Sequence, residues 1–372
     1  MSETTPIYKG LAGITVDETS ISKVMPETNS LTYRGYAVQD LCEHKSFEDV
    51  AFLLVNEDLP SASQRAEFIK KEKSHRTISS ELLAALQLLP KKSHPMDTLR
   101  TGVSILGCED ERIWDSSAQI NMDKYMSLLA KIPLIIAAGY RHKINAAFIS
   151  PDQNLGFSEN FFNMCFGKVP PKEVIKAFDV SLILYAEHSF NASTFTARVI
   201  TSTTSDMYSA IVGAIGALKG PLHGGANEQV MHMLKEVGSK ENAEGWMMDA
   251  LAQKKKIMGF GHRVYRSGDS RVPTMKKYAL KTAEFTGNME LMETASILEE
   301  VMIREKGIYP NLDFPAGPAY YMMGFEIEMF TPIFVMSRIA GWAAHIMEQN
   351  ADNKLIRPLS AYVGVPQRSI RL

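Results

Sequence analysis

Cysteine is scarce. Only Cys42, Cys108 and Cys165 occur in 372 residues, far apart and with no CxxC pair. An odd, scattered set excludes a disulfide framework and a zinc ribbon, and it fits reduced thiols. Tryptophan is equally rare, at three residues. A dominant charge is missing too: 40 Lys and Arg stand against 42 Asp and Glu, a formal net charge of −2. No basic field exists to hold nucleic acid or an anionic membrane, so any anion site has to be local. Apolar runs, as around 132–140 and 210–218, stop at about a dozen residues, whereas a membrane span needs ~20. The first residues, MSETTPIYKG, carry acid and Pro where a secretory signal carries basic and then apolar residues. A soluble, cytoplasmic chain is expected.

What is present is ordinary globular composition, 45% hydrophobic and 22% charged, with an unusual 21 Met. Met is a good helix former and a flexible core filler, so the chain leans helical. The length suits two packed domains, or one large helical domain with an inserted lobe. Residues 8–38 differ from the rest. Gly10–Asp17, Ser20–Val24 and Leu31–Tyr36 are short β-like runs between turn residues, expected to form a small hairpin or ribbon. Beyond residue 40 the punctuation is helical. Ser46-Phe-Glu-Asp before VAFLL is a capping-box start, and His94-Pro95 opens another helix. Further helices are expected at 120–148, 170–187, 193–217, 226–237, 243–255, 273–286, 291–305, 316–327 and 331–349. Almost no period-2 runs lie between them, which argues for an all-α fold rather than an alternating βαβ one.

Three of the nine His sit beside Gly or Asn in polar connections: His188 in EHSFNAST, His223 in GPLHGGANE and His262 in GFGHRVY. Such positions let backbone approach a ligand closely. Zinc ligands usually come as near pairs, and these His are separated by tens of residues with no paired Cys beside them. Gly259-Phe-Gly261-His-Arg-Val264 begins like a dinucleotide loop but has Val where the third Gly belongs. Asp313, in NLDFPAG, is either a helix cap or a chemical carboxylate. Arg271 and Arg357 lie in polar connections, and Arg338 lies in an apolar helix, one turn from Phe334. Arg in such a helix needs a carboxylate partner, internal or from a ligand. No GxSxG nucleophile motif is present. Three His, one Asp and three Arg suit proton transfer and carbonyl polarisation on a small polycarboxylate.

On these motifs the chain resembles the citrate synthase family over essentially its full length. The carriers are YRGY at 33–36, EHSFNAST at 187–194, GPLHGGANE at 220–228, GFGHRVY at 259–265, NLDFPAG at 311–317 and RPLSAYVG at 357–364. The short length and runs such as LYAEHSFNASTFTARVI look most like the bacterial 2-methylcitrate synthases. Two departures stand out: Ser270 replaces a Pro in GDSR, and FPAG follows Asp313 where many methylcitrate synthases carry WFSA.

The resemblance implies a two-domain helical fold with a small N-terminal β ribbon. Residues 1–223 and 319–372 would form the large domain, and 224–318 a small lid. It implies condensation of propionyl-CoA with oxaloacetate, or of acetyl-CoA as the alternative, followed by thioester hydrolysis. His223 would bond the thioester carbonyl, Asp313 would remove the α-proton, and His262 would polarise the oxaloacetate carbonyl. His188, Arg271, Arg338 and Arg357 would hold oxaloacetate, with Phe334 lining the substrate. In the family the last Arg comes from a second subunit, so a homodimer is implied. Lys256, Ile257, Met258, Gly259 and Phe260 would grip the CoA adenine, with Arg266 and Lys306 as phosphate contacts. Acyl-CoA is then a co-substrate, with no tightly bound cofactor and no metal.

Overall fold

The structure is a computed structural model that describes residues 6–265 and 268–370. Among these residues there are sixteen α-helices and one three-stranded sheet, so the expected all-α architecture with a small ribbon is present. The sheet runs Ser22–Met25, Ser30–Tyr33 and Tyr36–Ala37 in sequence order, antiparallel, with Ser22 opposite Tyr33 and Thr32 opposite Ala37. Leu31 and Tyr33 alternate into the core as a half-buried strand requires. Gly10–Asp17 forms no strand, contrary to expectation. It opens on a 3-10 turn at Lys9–Leu11, and Gly10 and Gly13 have φ of 65° and 76°, which breaks an extended run.

Helix starts follow local chemistry. Ser46 Oγ accepts the Asp49 N–H, while the Asp49 carboxylate accepts the Ser46 N–H at 3.0 Å. His94 opens Pro95–Glu109, its Nδ1 accepting the Met96 N–H at 3.2 Å. The helix expected at 193–217 is two, Ala192–Ser202 and Met207–Leu218. Thr204 turns left-handed at φ 65° between them, and Asp206 caps the second by accepting the Ser209 N–H at 2.9 Å. Phe157–Phe166 was not expected. Its polar residues hide the apolar period, yet Phe162 packs 5.0 Å from both Phe178 and Phe325.

The helix Phe330–Ala351 is the axis of the molecule, apolar on nearly every side and therefore buried. It packs on Ala118–Lys143, Lys172–Tyr185, Ala192–Ser202 and Met207–Leu218. A second group, Ala226–Val237, Lys240–Ala252, Val272–Thr286, Met289–Lys306 and Asp313–Met322, packs mainly within itself. It meets the first group where Val272–Thr286 lies on Lys172–Tyr185. The cleft described next lies between these groups. None of the helices described is long and apolar enough to cross a membrane.

Candidate active site

Four loop-to-helix junctions converge on one cleft of about 870 Å³, lined among others by His188, His223, His262, Arg271, Asp313 and Arg338. Its location follows from local pairing. Phe260 and Pro310 form an antiparallel bridge, Gly261 N–H donates to Tyr309 O at 2.9 Å, and Asn311 N–H donates to Gly259 O at 2.9 Å. This stitch sets the His262 loop beside the start of Asp313–Met322. Gly259 permits it: φ is 84°, and a Cβ there would meet Val230 Cγ2 at 2.5 Å.

Asp313 is the first residue of its helix and caps nothing with its carboxylate. Instead Oδ1 accepts the Tyr185 O–H at 2.7 Å. Burial raises its pKa to about 6, against the opposing pull of the Tyr185 hydrogen bond and the Arg271 charge. Burial and the Asp313 charge hold the Tyr185 phenol well above its ordinary value, so Tyr185 stays a donor. The result is a carboxylate placed by one hydrogen bond and poised nearer neutrality than a free Asp.

The two flanking imidazoles are locked as neutral donors. His262 Nδ1 accepts the backbone N–H groups of Val264 and Tyr265 at 3.0 and 3.1 Å, so the ring proton sits on Nε2. His223 Nε2 accepts the Ser193 N–H at 3.2 Å and lies 2.8 Å from Ser193 Oγ, which places its proton on Nδ1. Trp342 Nε1–H donates to the same Ser193 Oγ at 3.2 Å and fixes the hydroxyl. Burial, then neighbouring Arg charge, lowers the pKa of His223 to about 3 and of His262 to about 4. Neither ring is protonated near neutral pH, so each offers one N–H and no charge.

The third corner is cationic. Asp269 grips Arg271 in a fork, Oδ1 to Nε at 2.9 Å and Oδ2 to Nη2 at 2.7 Å. Although burial opposes it, Arg271 holds the Asp269 pKa well below the usual carboxylate range. Asp269 Oδ2 also accepts the Leu312 N–H at 3.2 Å, joining this pair to the Asp313 helix. Arg338 differs: among the described residues it has no carboxylate within 4.0 Å, so the internal salt bridge left open by its sequence position is not formed. Its Nε donates to Tyr185 O at 2.7 Å, and Nη1 is buried with no partner. Burial lowers its pKa to about 10, which leaves it charged near neutrality. His188 Nε2 is also buried and unpartnered, and burial and Arg271 hold that ring neutral. Unpaired buried polar nitrogens are costly, and at a cleft wall they mark where a ligand's polar atoms belong. Phe334 joins the walls: its ring lies 4.1 Å from that of Tyr185 and 4.8 Å from Arg338 Cζ.

The remaining sequence candidates spread outward. Lys256, Ile257, Met258, Gly259 and Phe260 line the cleft mouth. Lys306 ends Met289–Lys306, exposed and away from the cleft lining. Arg357 lies exposed on the C-terminal tail and is not brought to this cleft. Arg266 falls outside the described residues. Ser270 does not leave its loop slack. It is buried, bonded through Oγ to Tyr265 OH at 2.8 Å, and its carbonyl accepts Gln39 Nε2–H at 2.9 Å. Sequence reasoning missed Tyr185, Ser193, Trp342 and Asp269. Only Asp269, two residues before Arg271, carried a local signal.

The family model "Citrate synthase, C-terminal domain" matches residues 10–359, and the chain belongs to the citrate synthase family. It is 55% identical to a citrate synthase of Mycolicibacterium smegmatis, over 99% of this chain and 98% of that one. It is equally 55% identical to a 2-methylcitrate synthase of Mycobacterium tuberculosis, over 99% of this chain and 93% of that one. Among solved structures, it matches the citrate synthase of Thermoplasma acidophilum in ternary complex with carboxymethyl coenzyme A and oxaloacetate at TM-score 0.94. The two are 32% identical, and the match covers 99% of this chain and 98% of that one.

Proposed function

We propose that the chain condenses an acyl-CoA with oxaloacetate and hydrolyses the resulting thioester, with propionyl-CoA as its acyl donor and 2-methylcitrate as product. The observation that carries this is the pairing of one half-buried carboxylate of raised pKa with two neutral imidazole donors and two unpartnered buried nitrogens, His188 Nε2 and Arg338 Nη1, in a single cleft. A thioester α-carbon is a weak acid, so the base alone does not suffice. Asp313 takes the α-proton while His223 Nδ1–H stabilises the developing enol oxygen. His262 Nε2–H polarises the ketone of oxaloacetate and passes its proton to the alkoxide as the new C–C bond forms. His188, Arg271 and Arg338 hold the dicarboxylate. Arg357 of the partner subunit completes the clamp in a homodimer. Lys256–Phe260, at the cleft mouth, binds CoA, with Arg266 and Lys306 as its phosphate contacts, and residues 224–318 close as a lobe over the larger remainder.

A second reading, acetyl-CoA giving citrate, is favoured by the equal identity to a relative named citrate synthase. One methylene is worth roughly 1–3 kcal/mol where a pocket selects by size. Thiol release measured with oxaloacetate and each thioester decides: a higher kcat/KM for propionyl-CoA is expected. A higher value for acetyl-CoA selects the second reading, and no release with either removes both.

A further inference from the structure

Behind the cleft wall lies a polar chain that this mechanism does not use. Glu187, His345 and Arg198 are buried side chains at the centre of the large helical group. His345 Nε2 lies 2.9 Å from Glu187 Oε1, and His345 Nδ1 lies 3.1 Å from Arg198 Nη1. A guanidinium only donates, so Nδ1 accepts and Nε2–H donates to Glu187. The same Nη1 donates to Glu348 Oε2 at 2.8 Å, and Nη2 donates to Asp17 Oδ2 at 3.1 Å. The run therefore reads carboxylate, imidazole, guanidinium, carboxylates, joined through His345 Nε2–H and Arg198 Nη1 and Nη2, while Arg198 Nε is left without a partner.

Its two ends meet the segment before the first strand and the loop that carries His188. Ser20 donates through N–H and O–H to Glu348 Oε1, at 2.9 and 3.1 Å. Ser22 O–H donates to Glu187 Oε1 at 2.9 Å, and Ser22 Oγ accepts the Ser189 N–H at 3.0 Å. Ser189 is left-handed, with φ 51°, a conformation a non-glycine residue holds only when its neighbours fix it. His188 lies between Glu187 and Ser189, and its Nε2 has no protein partner. No hydrogen bond on its own ring fixes its direction; the ring packs edge-on to those of His262 and Tyr265 at 5.0 and 5.9 Å, and the backbone on either side sets where it starts from. Gly341 makes room for this: a Cβ there would lie 2.3 Å from Glu187 Oε2 and 2.4 Å from Ala186 O.

We infer that His345 is a positioning residue: it anchors the Glu187 carboxylate, and through Glu187 and Ser22 it holds the 187–189 loop so that His188 points into the cleft. The inference rests on the proposed function for the identity of the ligand, oxaloacetate, but not for the loop geometry.

The test uses the full chain with His345→Leu, which removes both hydrogen bonds, and His345→Gln, whose amide can donate to Glu187 and accept from Arg198. Deuterium uptake by the 186–191 amides is read together with the calorimetric Kd for oxaloacetate and the KM for the thioester. In His345→Leu, loop exchange is expected to rise about tenfold and the oxaloacetate Kd about tenfold, with the thioester KM changed less than twofold. His345→Gln should recover most of both. Unchanged exchange in a folded His345→Leu chain overturns the inference, as does a Gln variant as impaired as the Leu one. If His345→Leu fails to fold, Ser22→Ala decides: about threefold faster loop exchange supports the inference, and unchanged exchange overturns it. If the parent chain binds no oxaloacetate, the proposed function fails, and loop exchange alone still decides this inference.

Discussion

The cleft and the C-terminal tail treat charge in opposite ways. In the cleft, Arg271 is gripped by Asp269 and Arg338 is tied to the Tyr185 carbonyl, both buried, and the half-buried Asp313 is held by Tyr185. The tail beyond Ala351 has no helix or strand among the described residues. It is anchored near its start, where Asn353 Nδ2–H donates to Ser202 O and Ile356 N–H to Ser202 Oγ. Past that point Arg357 is exposed, and so are Leu359, Tyr362 and Val363. A side chain packed on several elements has its direction set by its own fold. A cation on an exposed tail has none until another surface supplies it. The apolar side chains beside Arg357 suit such a surface, which is why a second copy is part of the proposed function.

Four experiments would break or sharpen this contrast, the largest effect first. Asp313→Asn keeps the shape and removes the base. Its kcat should fall about a thousandfold or more while oxaloacetate still binds calorimetrically, and retained turnover would strip Asp313 of its role. Arg357→Ala should raise the KM for oxaloacetate about tenfold. Mixing it with Asp313→Ala chains should restore some activity through hybrid dimers that hold one intact site. Absence of rescue in verified hybrids would mean that each cleft is built from one chain.

Tyr185→Phe should act through acidity. The lost hydrogen bond favoured ionised Asp313, so removing it moves that pKa above about 6. The base works only when ionised, and the acid limb of the kcat/KM profile should shift toward higher pH, with a several-fold loss at pH 7. An unmoved limb would show that Tyr185 does not tune the base. Gly341→Ala should be the mildest in rate. It forces a methyl against Glu187 and should lower unfolding stability by about 1–3 kcal/mol in a denaturant titration.

The sequence carried the residues whose placement is local. His188, His223, His262 and Asp313 lie in Gly-, Asn- and Pro-marked connections, where short-range turn chemistry sets the backbone, and the structure brings them to one cleft. The all-α fold was readable from helical punctuation for the same reason. Pairings across long stretches of chain were not readable. Tyr185 meets Asp313 across 128 residues, and His345 meets Glu187 across 158. Each looks like an ordinary core residue until the helices pack. Phe157–Phe166 was missed because its amphipathic period is interrupted by Ser and Asn, and its helicity depends on the Phe cluster it joins. The break at Thr203–Asp206 was hidden because residues on both sides have good helical pattern. Only the left-handed Thr204 and the Asp206 cap reveal it.

The locking of His262 and His223 by backbone amides has a consequence for proton bookkeeping. Because both rings titrate far below neutrality, the cleft carries one principal proton reservoir near physiological pH, the Asp313 carboxyl. Ligand binding should therefore exchange no more than about one proton with solvent, a quantity readable as the dependence of the binding heat on the ionisation enthalpy of the buffer.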